Sequence, residues 1–378
     1  MSTSAPIVPP ATIGMLGGGQ LGRYALVAAR TMGYRTMVLD PDPQAPAGAV
    51  ADEHLVAPYD DDVAIGRLGA ECDIVTIEFE NPPAIALERL AARTVVAPSP
   101  RAVATAQDRS AEKAFLVDAG FPVGPFADVI DADAEPEIRY PAILKTARLG
   151  YDGKGQRLVA DGSQLRAAWR LLGSVPCVAE VALELETELS VVVARTAASG
   201  FAAYPVAENR HVDGILDLSV VPARVAPRLA DRAVGLGQAI ADALDYVGVL
   251  AVEFFVVDGT LLVNELAPRP HNSGHWTLDV AQTSQFEQQI RAVCGLSLGD
   301  TRMTRPGAAM VNLLGDRWDA GEPDWESALS GGRTALHLYG KTSARSGRKM
   351  GHLTSWADDP GTAATLATER RRALSRPG

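Results

Sequence analysis

The sequence predicts an α/β protein that begins with a parallel sheet and continues as an α+β region. At the start of the chain, short apolar runs alternate with helical patterns; the runs are Ala11 to Leu16, Thr36 to Leu39, Ile74 to Phe79 and Val95 to Ala97. Such alternation is typical of a parallel sheet covered by helices on both faces. Later runs follow one another closely, and two of them flank Asp258-Gly259, which is a strong hairpin signal. The second region should therefore be largely antiparallel.

Composition limits the classes of partner. The chain has 378 residues, enough for two or three domains, and a net charge of -11. An acidic protein has no general basic field to attract nucleic acid or an anionic membrane, so we expect neither as a partner. The cysteines at 72, 177 and 294 fit no metal-ligand spacing. With neither a signal-peptide pattern nor a membrane-spanning run, we expect a cytoplasmic protein that acts on small molecules.

The order of the elements suggests three domains. We place an N-terminal domain at 1–105, a central region at 106–310 and a C-terminal domain with a tail at 311–378. A helix should span Thr105 to Gly120. Within the central region, a lid subdomain of about residues 140–185 is expected from its compact set of short strands, one helix and a glycine-rich loop. Consecutive strands and the helix Ala226 to Leu244 should follow the lid.

A glycine-rich turn follows the first predicted strand. Gly17, Gly19 and Gly22 satisfy G-x-G-x-x-G, and a helical pattern comes next. The N-terminus of a helix presents free amide groups and the positive end of the peptide dipole, so such a turn can hold a phosphate. Asp40, at the end of the next strand, lies where a dinucleotide-binding fold would place a ribose-binding acid. A monophosphate and a dinucleotide therefore both remain open at this point.

Two further patterns carry chemistry. The hairpin brings Glu253 and Glu265 onto neighbouring strands with Asn264 beside them, a set of hard oxygen donors that suits Mg²⁺. Lys145 ends a lid strand, and the loop Gly150 to Gly155 could fold over a polyphosphate, although it is not a Walker P-loop. The alternative is that the glutamates face solvent and that the loop is an ordinary surface hairpin.

The order and spacing of these features resemble the ATP-grasp superfamily, and within it the N5-carboxyaminoimidazole ribonucleotide synthase family. The resemblance covers about residues 11 to 355. The matching segments are Gly17 to Arg23, Leu144 to Thr146, Gly150 to Gln156, Glu188 to Ser190, Asn264 to His275 and Gly347 to His352.

The resemblance implies an ATP-grasp fold with an N-terminal Rossmann-like domain, and it assigns ligands to residues. The implied ATP contacts are Arg109, Lys145, Gly150, Tyr151, Asp152, Gly153, Lys154, Gly155, Gln156, Glu180, Val181, Ala182, Leu183, Glu188, His211, Asn264 and Glu265. The implied Mg²⁺ ligands are Glu253 and Glu265. The implied contacts to the ribonucleotide substrate are Gly19, Gln20, Leu21, Glu80, Asn272, Lys341 and Arg348.

The implied reaction is the carboxylation of 5-aminoimidazole ribonucleotide with ATP and bicarbonate, through carboxyphosphate, in purine biosynthesis. Arg269 and His271 form the expected catalytic pair, since a guanidinium beside an imidazole can hold bicarbonate in line with a phosphoryl group. Tyr151, Asp152 and Lys154 on the lid loop should exclude water from the labile intermediate. Lys154 stands where related sequences often have arginine, and the family leads us to expect a homodimer.

Three alternatives remain at the level of the sequence. One is another ATP-grasp ligase, such as the formate-using glycinamide ribonucleotide transformylase. A second is an NAD-dependent oxidoreductase, which would use the glycine turn and Asp40 but leave Glu253 and Glu265 without a role. A third is a ligand-binding module without catalysis. The tail from about Asp358 lies outside the resemblance and is predicted to be a helix without an assigned function.

Overall fold

The structure is a computed structural model that describes residues 5–131, 136–150 and 152–375. Its first part is the predicted open parallel sheet with its helices. The elements are β1 (Thr12–Leu16), α1 (Gln20–Thr31), β2 (Arg35–Leu39), β3 (Glu53–Leu55), α2 (Asp62–Glu71), β4 (Ile74–Ile77), α3 (Ala84–Ala91), β5 (Val95–Val96) and α4 (Pro100–Gln107). The strand order is β3-β2-β1-β4-β5. Because β1 lies between β2 and β4, the glycine turn that follows it emerges at the middle of the sheet edge.

The prediction of one helix from Thr105 to Gly120 is wrong. Helix α4 ends at Gln107, and a second helix, α5, spans Arg109–Asp118. Asp108 lies between them in an extended conformation, and its carboxylate accepts the amides of Ser110 and Ala111 at 3.0 and 3.3 Å. An aspartate N-cap satisfies the free amides of a new helix, so it favours a break over continuation. The break places Arg109 at the start of α5.

The lid is a small antiparallel sheet with one helix. Its elements are β6 (Phe126–Val129), β7 (Ala142–Thr146), β8 (Gln156–Val159), α6 (Gly162–Leu171) and β9 (Cys177–Val181), and its strand order is β6-β9-β7-β8. Leu144, Val159 and Leu165 form its core with the buried thiol of Cys177. Strand β6 joins this sheet from before residue 140, the limit expected from the sequence.

The central and C-terminal regions share one large antiparallel sheet. The elements are β10 (Thr187–Arg195), β11 (Phe201–Ala203), β12 (Ala207–Val212), β13 (Ile215–Val221), α7 (Pro227–Ala243), β14 (Gly248–Val257), β15 (Thr260–Ala267), α8 (Thr277–Val280), α9 (Gln285–Val293), β16 (Gly307–Leu314), α10 (Trp325–Leu329), β17 (Thr334–Leu338), β18 (Lys349–Ala357) and α11 (Pro360–Ala373). The strand order is β15-β14-β10-β12-β13-β16-β18-β17, and β11 pairs with β10. Short 3₁₀ turns occupy Asn272–Gly274 and Gly315–Trp318. The predicted β14–β15 hairpin is confirmed, and the C-terminal strands extend the same sheet.

The tail helix is also confirmed, as α11. In the described ranges, no helix combines the length and apolar character needed to cross a membrane.

A histidine cluster lies where the three parts of the chain meet. His275 precedes α8, while His337 and His352 are paired across β17 and β18 with stacked rings 4.6 Å apart. The His275 and His352 rings are 4.9 Å apart, and Tyr24 of α1 packs against both. His275 and His352 are wholly buried, and this burial holds their pKa values well below the usual 6.5. Both rings are therefore neutral in the folded protein.

We predict that this cluster makes the fold sensitive to acid. A histidine whose folded pKa is depressed binds a proton only on unfolding, so its contribution to stability is lost as the pH falls below its unfolded pKa of about 6.5. At pH 5.5, each buried histidine should lower the free energy of unfolding by about 1.4 kcal/mol relative to its value at neutral pH. Urea unfolding of the wild type and of His352→Gln at pH 7.5 and 5.5 measures this difference.

The comparison with the variant is needed because Glu112 acts in the opposite direction. Burial raises the pKa of Glu112 to about 8, which adds stability as the pH falls through that range. His352→Gln should therefore lose about 1.4 kcal/mol less than the wild type between the two pH values. Equal losses in the two proteins would contradict a neutral, buried His352.

Candidate active site

One cavity of about 980 Å³ lies between the parallel sheet, the lid and the large sheet. It brings together most of the residues selected from the sequence: Gln20, Leu21, Glu80, Arg109, Lys145, Gly150, Asp152, Gly153, Lys154, Gln156, Glu188, His211, Glu253, Asn264, Glu265, Arg269, His271, Lys341 and Arg348. Other selected residues do not line it: Gly19, Gly155, Glu180, Val181, Ala182, Leu183 and Asn272. Tyr151 lies outside the described residues.

The glycine turn is filled by an acidic side chain that sequence reasoning missed. Glu78 follows β4, and its two carboxylate oxygens accept the amides of Gly19 at 2.8 Å and Gly22 at 3.1 Å. Asp40 accepts the Gly18 amide at 2.7 Å and the Tyr59 hydroxyl at 2.6 Å. Both acids are thus committed to protein donors, and Asp40 is not placed as a free ribose-binding acid.

Arg269, predicted from the sequence to be catalytic, connects the large antiparallel sheet to the parallel sheet. The Nε atom of Arg269, just after β15, donates to Glu80 at the edge of the parallel sheet, 2.5 Å away. Burial alone would raise the pKa of Glu80, but the charge of Arg269 outweighs it and lowers this pKa to about 2. Glu80 is therefore an anion at neutral pH, and its carboxylate fixes the position of the guanidinium.

The carboxylate hairpin forms as predicted, with Glu253 and Glu265 directly opposite each other on β14 and β15. Each has a cationic or hydrogen-bonding partner: Glu265 lies 3.1 Å from Nη1 of Arg109, and Glu253 lies 3.0 Å from Nε2 of His271. The side-chain oxygen of Asn264 is buried and has no hydrogen-bond partner in the described part of the chain. Two facing carboxylates and a buried amide oxygen without a donor fit a hard cation such as Mg²⁺.

His271 is oriented from both ring nitrogens. Its Nδ1 accepts the Ser273 amide and lies 2.9 Å from the Ser273 hydroxyl, which assigns the proton to Nε2, facing Glu253. The Ser273 hydroxyl continues to Ser190 at 2.7 Å, and Ser190 accepts from Asn209 at 2.8 Å. These hydroxyl and amide groups are buried, so the chain of hydrogen bonds limits rotation of the imidazole.

Lys145, in the cavity wall, is held by Glu180, which does not line the cavity. Its Nζ lies 2.7 Å from Glu180, which also lies 3.6 Å from Nζ of Lys113. All three side chains are nine-tenths or more buried. Burial would raise the pKa of Glu180, but the two lysines lower it to about 2. Glu180 therefore acts in this structure as the counter-ion of two buried cations.

Glu188 and His211, on the paired strands β10 and β12, are in direct contact through Oε2 and Nδ1. Burial would lower the pKa of His211, but its hydrogen bond with Glu188 raises it overall. The sequence placed these residues near each other, and the structure brings them together at the cavity wall.

The basic segment near the C-terminus also reaches the cavity. Nζ of Lys341 donates to the backbone oxygen of Lys349 at 2.7 Å and lies 5.5 Å from the centre of the Tyr339 ring. Burial, aided by the charge of Arg348, lowers the pKa of Lys341 to about 8. Lys349 pairs with Asp152 of the lid loop at 2.6 Å, a contact that sequence reasoning missed. Lys349 follows Arg348 at the start of a strand, and this position in the sequence could have indicated that Lys349 belongs to the site.

Asn272 lies behind the site. Its side-chain amide is buried and exchanges two hydrogen bonds with that of Asn312, at 2.6 and 3.1 Å. This pairing joins the segment after β15 to β16. Asn272 thus fixes the course of the chain next to His271, and its side chain is not presented to the cavity.

We predict that Glu180→Gln lowers the free energy of unfolding by about 3 kcal/mol, because it leaves two buried lysines without an anion. Chemical denaturation at neutral pH measures the change. Glu71→Gln is the control: Glu71 pairs with Arg67 on the surface, so its replacement should leave stability unchanged. Equal stability of both variants would contradict the counter-ion role of Glu180.

Comparison with known proteins supports this architecture along the chain. Residues 10–107 match the ribonucleotide synthetase preATP-grasp domain, residues 114–286 the ATP-grasp domain, and residues 308–365 the phosphoribosylaminoimidazole carboxylase C-terminal domain. The N5-carboxyaminoimidazole ribonucleotide synthase of Bacillus subtilis is 46% identical over 353 residues, which cover 92% of each chain. That of Brucella melitensis is 45% identical, covering 92% of this chain and 96% of its own.

Solved structures agree. An N5-carboxyaminoimidazole ribonucleotide synthetase in complex with ADP is 40% identical with a TM-score of 0.91, covering 97% of this chain and 98% of its own. The Aspergillus clavatus enzyme, in complex with ADP and 5-aminoimidazole ribonucleotide, is 30% identical with a TM-score of 0.88, covering 97% and 99%. The chain therefore belongs to the N5-carboxyaminoimidazole ribonucleotide synthase family of ATP-grasp enzymes.

Proposed function

We propose that the cavity described above is where this ATP-grasp ligase carboxylates 5-aminoimidazole ribonucleotide to N5-carboxyaminoimidazole ribonucleotide, releasing ADP and phosphate, in purine biosynthesis. The observation that carries the assignment is the convergence, in one cavity, of the glycine turn, the lid lysine, the carboxylate hairpin and the Arg269–His271 pair. The oxidoreductase alternative is disfavoured for two reasons. Glu78 occupies turn amides that the pyrophosphate of a dinucleotide would need, and Asp40, the expected ribose-binding acid, is already bound to the Gly18 amide.

ATP is proposed to lie between the lid and the large sheet. Lys145 and the loop 150–156 contact its phosphates. The segment Glu180 to Leu183, which does not line the cavity in this structure, is proposed to lie beside adenine when ATP is bound. Glu188, with His211 against it, holds the ribose hydroxyls, because a carboxylate in an ion pair keeps a free oxygen to accept from them. Arg109 completes the phosphate contacts from the start of α5.

Mg²⁺ is proposed to be held by Glu253 and Glu265, with Asn264 beside them. In this position the ion would neutralise charge on the transferring phosphates. The donor set supports the assignment, since Glu253 and Glu265 are directly opposite each other in the hairpin and Asn264 adds a buried amide oxygen that no donor among the described residues reaches.

Arg269 and His271 are proposed to position bicarbonate. The guanidinium offers paired donors to its oxygens, and the imidazole lies on the same segment, two residues later. An oxygen of bicarbonate attacks the γ-phosphorus of ATP. The bond between this phosphorus and the oxygen that bridges the β- and γ-phosphates breaks, and ADP leaves. Carboxyphosphate then divides into CO₂ and phosphate, and the exocyclic amine of the ribonucleotide bonds to the carbon and loses a proton. The lid loop, with Tyr151, Asp152 and Lys154, keeps water from the intermediate.

The ribonucleotide is proposed to bind with its 5′-phosphate at the Gly19 to Leu21 turn. The amides of Gln20 and Leu21 face this phosphate, and Lys341 and Arg348 approach it from the C-terminal segment. Glu80 lies nearby for the ribose or the aminoimidazole. Asn272 contributes by supporting the segment that carries His271.

The assembly and the compartment are further parts of the proposal. We infer a homodimer from the family and a cytoplasmic location. Three buried free cysteines are compatible with a reducing compartment.

We expect Glu265→Ala to lose phosphate release from ATP by at least about 100-fold, because one of the two facing carboxylates is removed. The assay is run with ATP and Mg²⁺, with and without 5-aminoimidazole ribonucleotide and bicarbonate. Wild-type release should depend on both additions. Stimulation by formate and glycinamide ribonucleotide instead would replace this function with the related transformylase activity.

His271→Ala should retain nucleotide binding and lose at least about 100-fold in coupled product formation, because the positioned imidazole is absent. Titration with ADP measures the first property, and N5-carboxyaminoimidazole ribonucleotide formation measures the second. His54→Ala, a histidine outside the cavity, serves as the control and should keep both. Unchanged product formation in His271→Ala would refute the role of the imidazole.

A further inference from the structure

The Glu78 side chain explains two of the three glycines of the G-x-G-x-x-G turn, Gly17 and Gly19, and the backbone of the turn itself explains Gly22. A Cβ atom placed on Gly17 would lie 2.5 Å from Cγ of Glu78, and one on Gly19 would lie 2.5 Å from its Oε1. A Cβ atom on Gly22 would lie 2.9 Å from the backbone oxygen of Gly17 and 3.3 Å from Cβ of Glu78. Gly17 also has a φ of +102°, which disfavours any side chain. The turn is thus shaped around a carboxylate of the protein itself.

The Glu78 carboxylate accepts two of the four amides at the N-terminus of α1, where a ligand could otherwise bind. Gly19 is the N-cap of α1 and Gly22 its third residue, and these two amides donate to Glu78. The amides between them belong to Gln20 and Leu21, which line the cavity. An N-terminus attracts anions through a few free amides and the helix dipole. Glu78 therefore leaves two of these four amides for a ligand.

We propose that Glu78 is a specificity-determining residue that reserves the glycine turn for a single phosphate group and excludes a pyrophosphate. This inference rests on the proposed function, in which the turn holds the 5′-phosphate of the ribonucleotide. A second phosphoryl group beside the first would have to displace the Glu78 side chain from the two turn amides that it accepts. The same fingerprint that accepts a dinucleotide in other proteins is thereby restricted to a monophosphate.

Inorganic phosphate and inorganic pyrophosphate are suitable probes, titrated calorimetrically without ATP or Mg²⁺. Glu78→Ala removes the carboxylate and opens the space, so its preference for pyrophosphate over phosphate should rise at least tenfold above that of the wild type. Glu80→Ala removes one charge from the same cavity and releases Arg269, but it does not free the turn amides, so it sets an upper limit on the effect of charge. Glu78→Gln keeps the space filled, so its preference should match that of Glu80→Gln.

The proposal is overturned if Glu78→Ala binds pyrophosphate with no greater preference than Glu80→Ala. Should Glu78→Ala fail to fold, the near-isosteric Glu78→Gln decides through kinetics. Its side-chain NH₂ would face a turn amide, so the KM for the ribonucleotide should rise about tenfold while the KM for ATP is unchanged; an unchanged ribonucleotide KM overturns the proposal. The anion titrations need no turnover, so a wild type without carboxylase activity would refute the proposed function separately.

Discussion

The site depends on the pairing of four acidic side chains around the cavity with donors of the protein itself. Arg269 holds Glu80, Arg109 holds Glu265, His271 holds Glu253, and the turn amides hold Glu78. A buried charge without a partner costs several kcal/mol, so carboxylates that stay ionised around one cavity need such partners. The acids in turn fix the positions of Arg269, Arg109 and His271.

Such pairing implies that ligands enter by exchange of partners. A cation bound between Glu253 and Glu265 would take over the charges that now hold Arg109 and His271. Those two side chains would then be available to anions, namely phosphate groups and bicarbonate. Lys145 would likewise have to exchange its partner, the carboxylate of Glu180, for a phosphate group. We therefore expect the affinity of the site for anions to depend on the occupancy of the carboxylate hairpin.

Local patterns predicted much of this arrangement. The strand–turn–helix around the glycines and the β14–β15 hairpin could be read from glycine spacing and turn residues. The helix break at Asp108 was missed because its cap competes with a continuous helical pattern. The role of Glu78 was also missed, since its contacts with Gly19 and Gly22 span 59 and 56 residues. Glycines indicate that something approaches closely, but the approaching group is decided by tertiary structure.

The ion pair between Asp152 and Lys349 connects the lid to the rest of the site. Lys349 begins β18 in the continuous large sheet, and its backbone oxygen accepts from Lys341. The lid loop and the basic group proposed for the substrate phosphate thus share one anchor. Because a labile intermediate such as the proposed carboxyphosphate must be kept from water, a lid tied to the residues proposed to hold the second substrate would close most firmly when that substrate is present. The pair is partly exposed, so it can break when the lid opens to release the products.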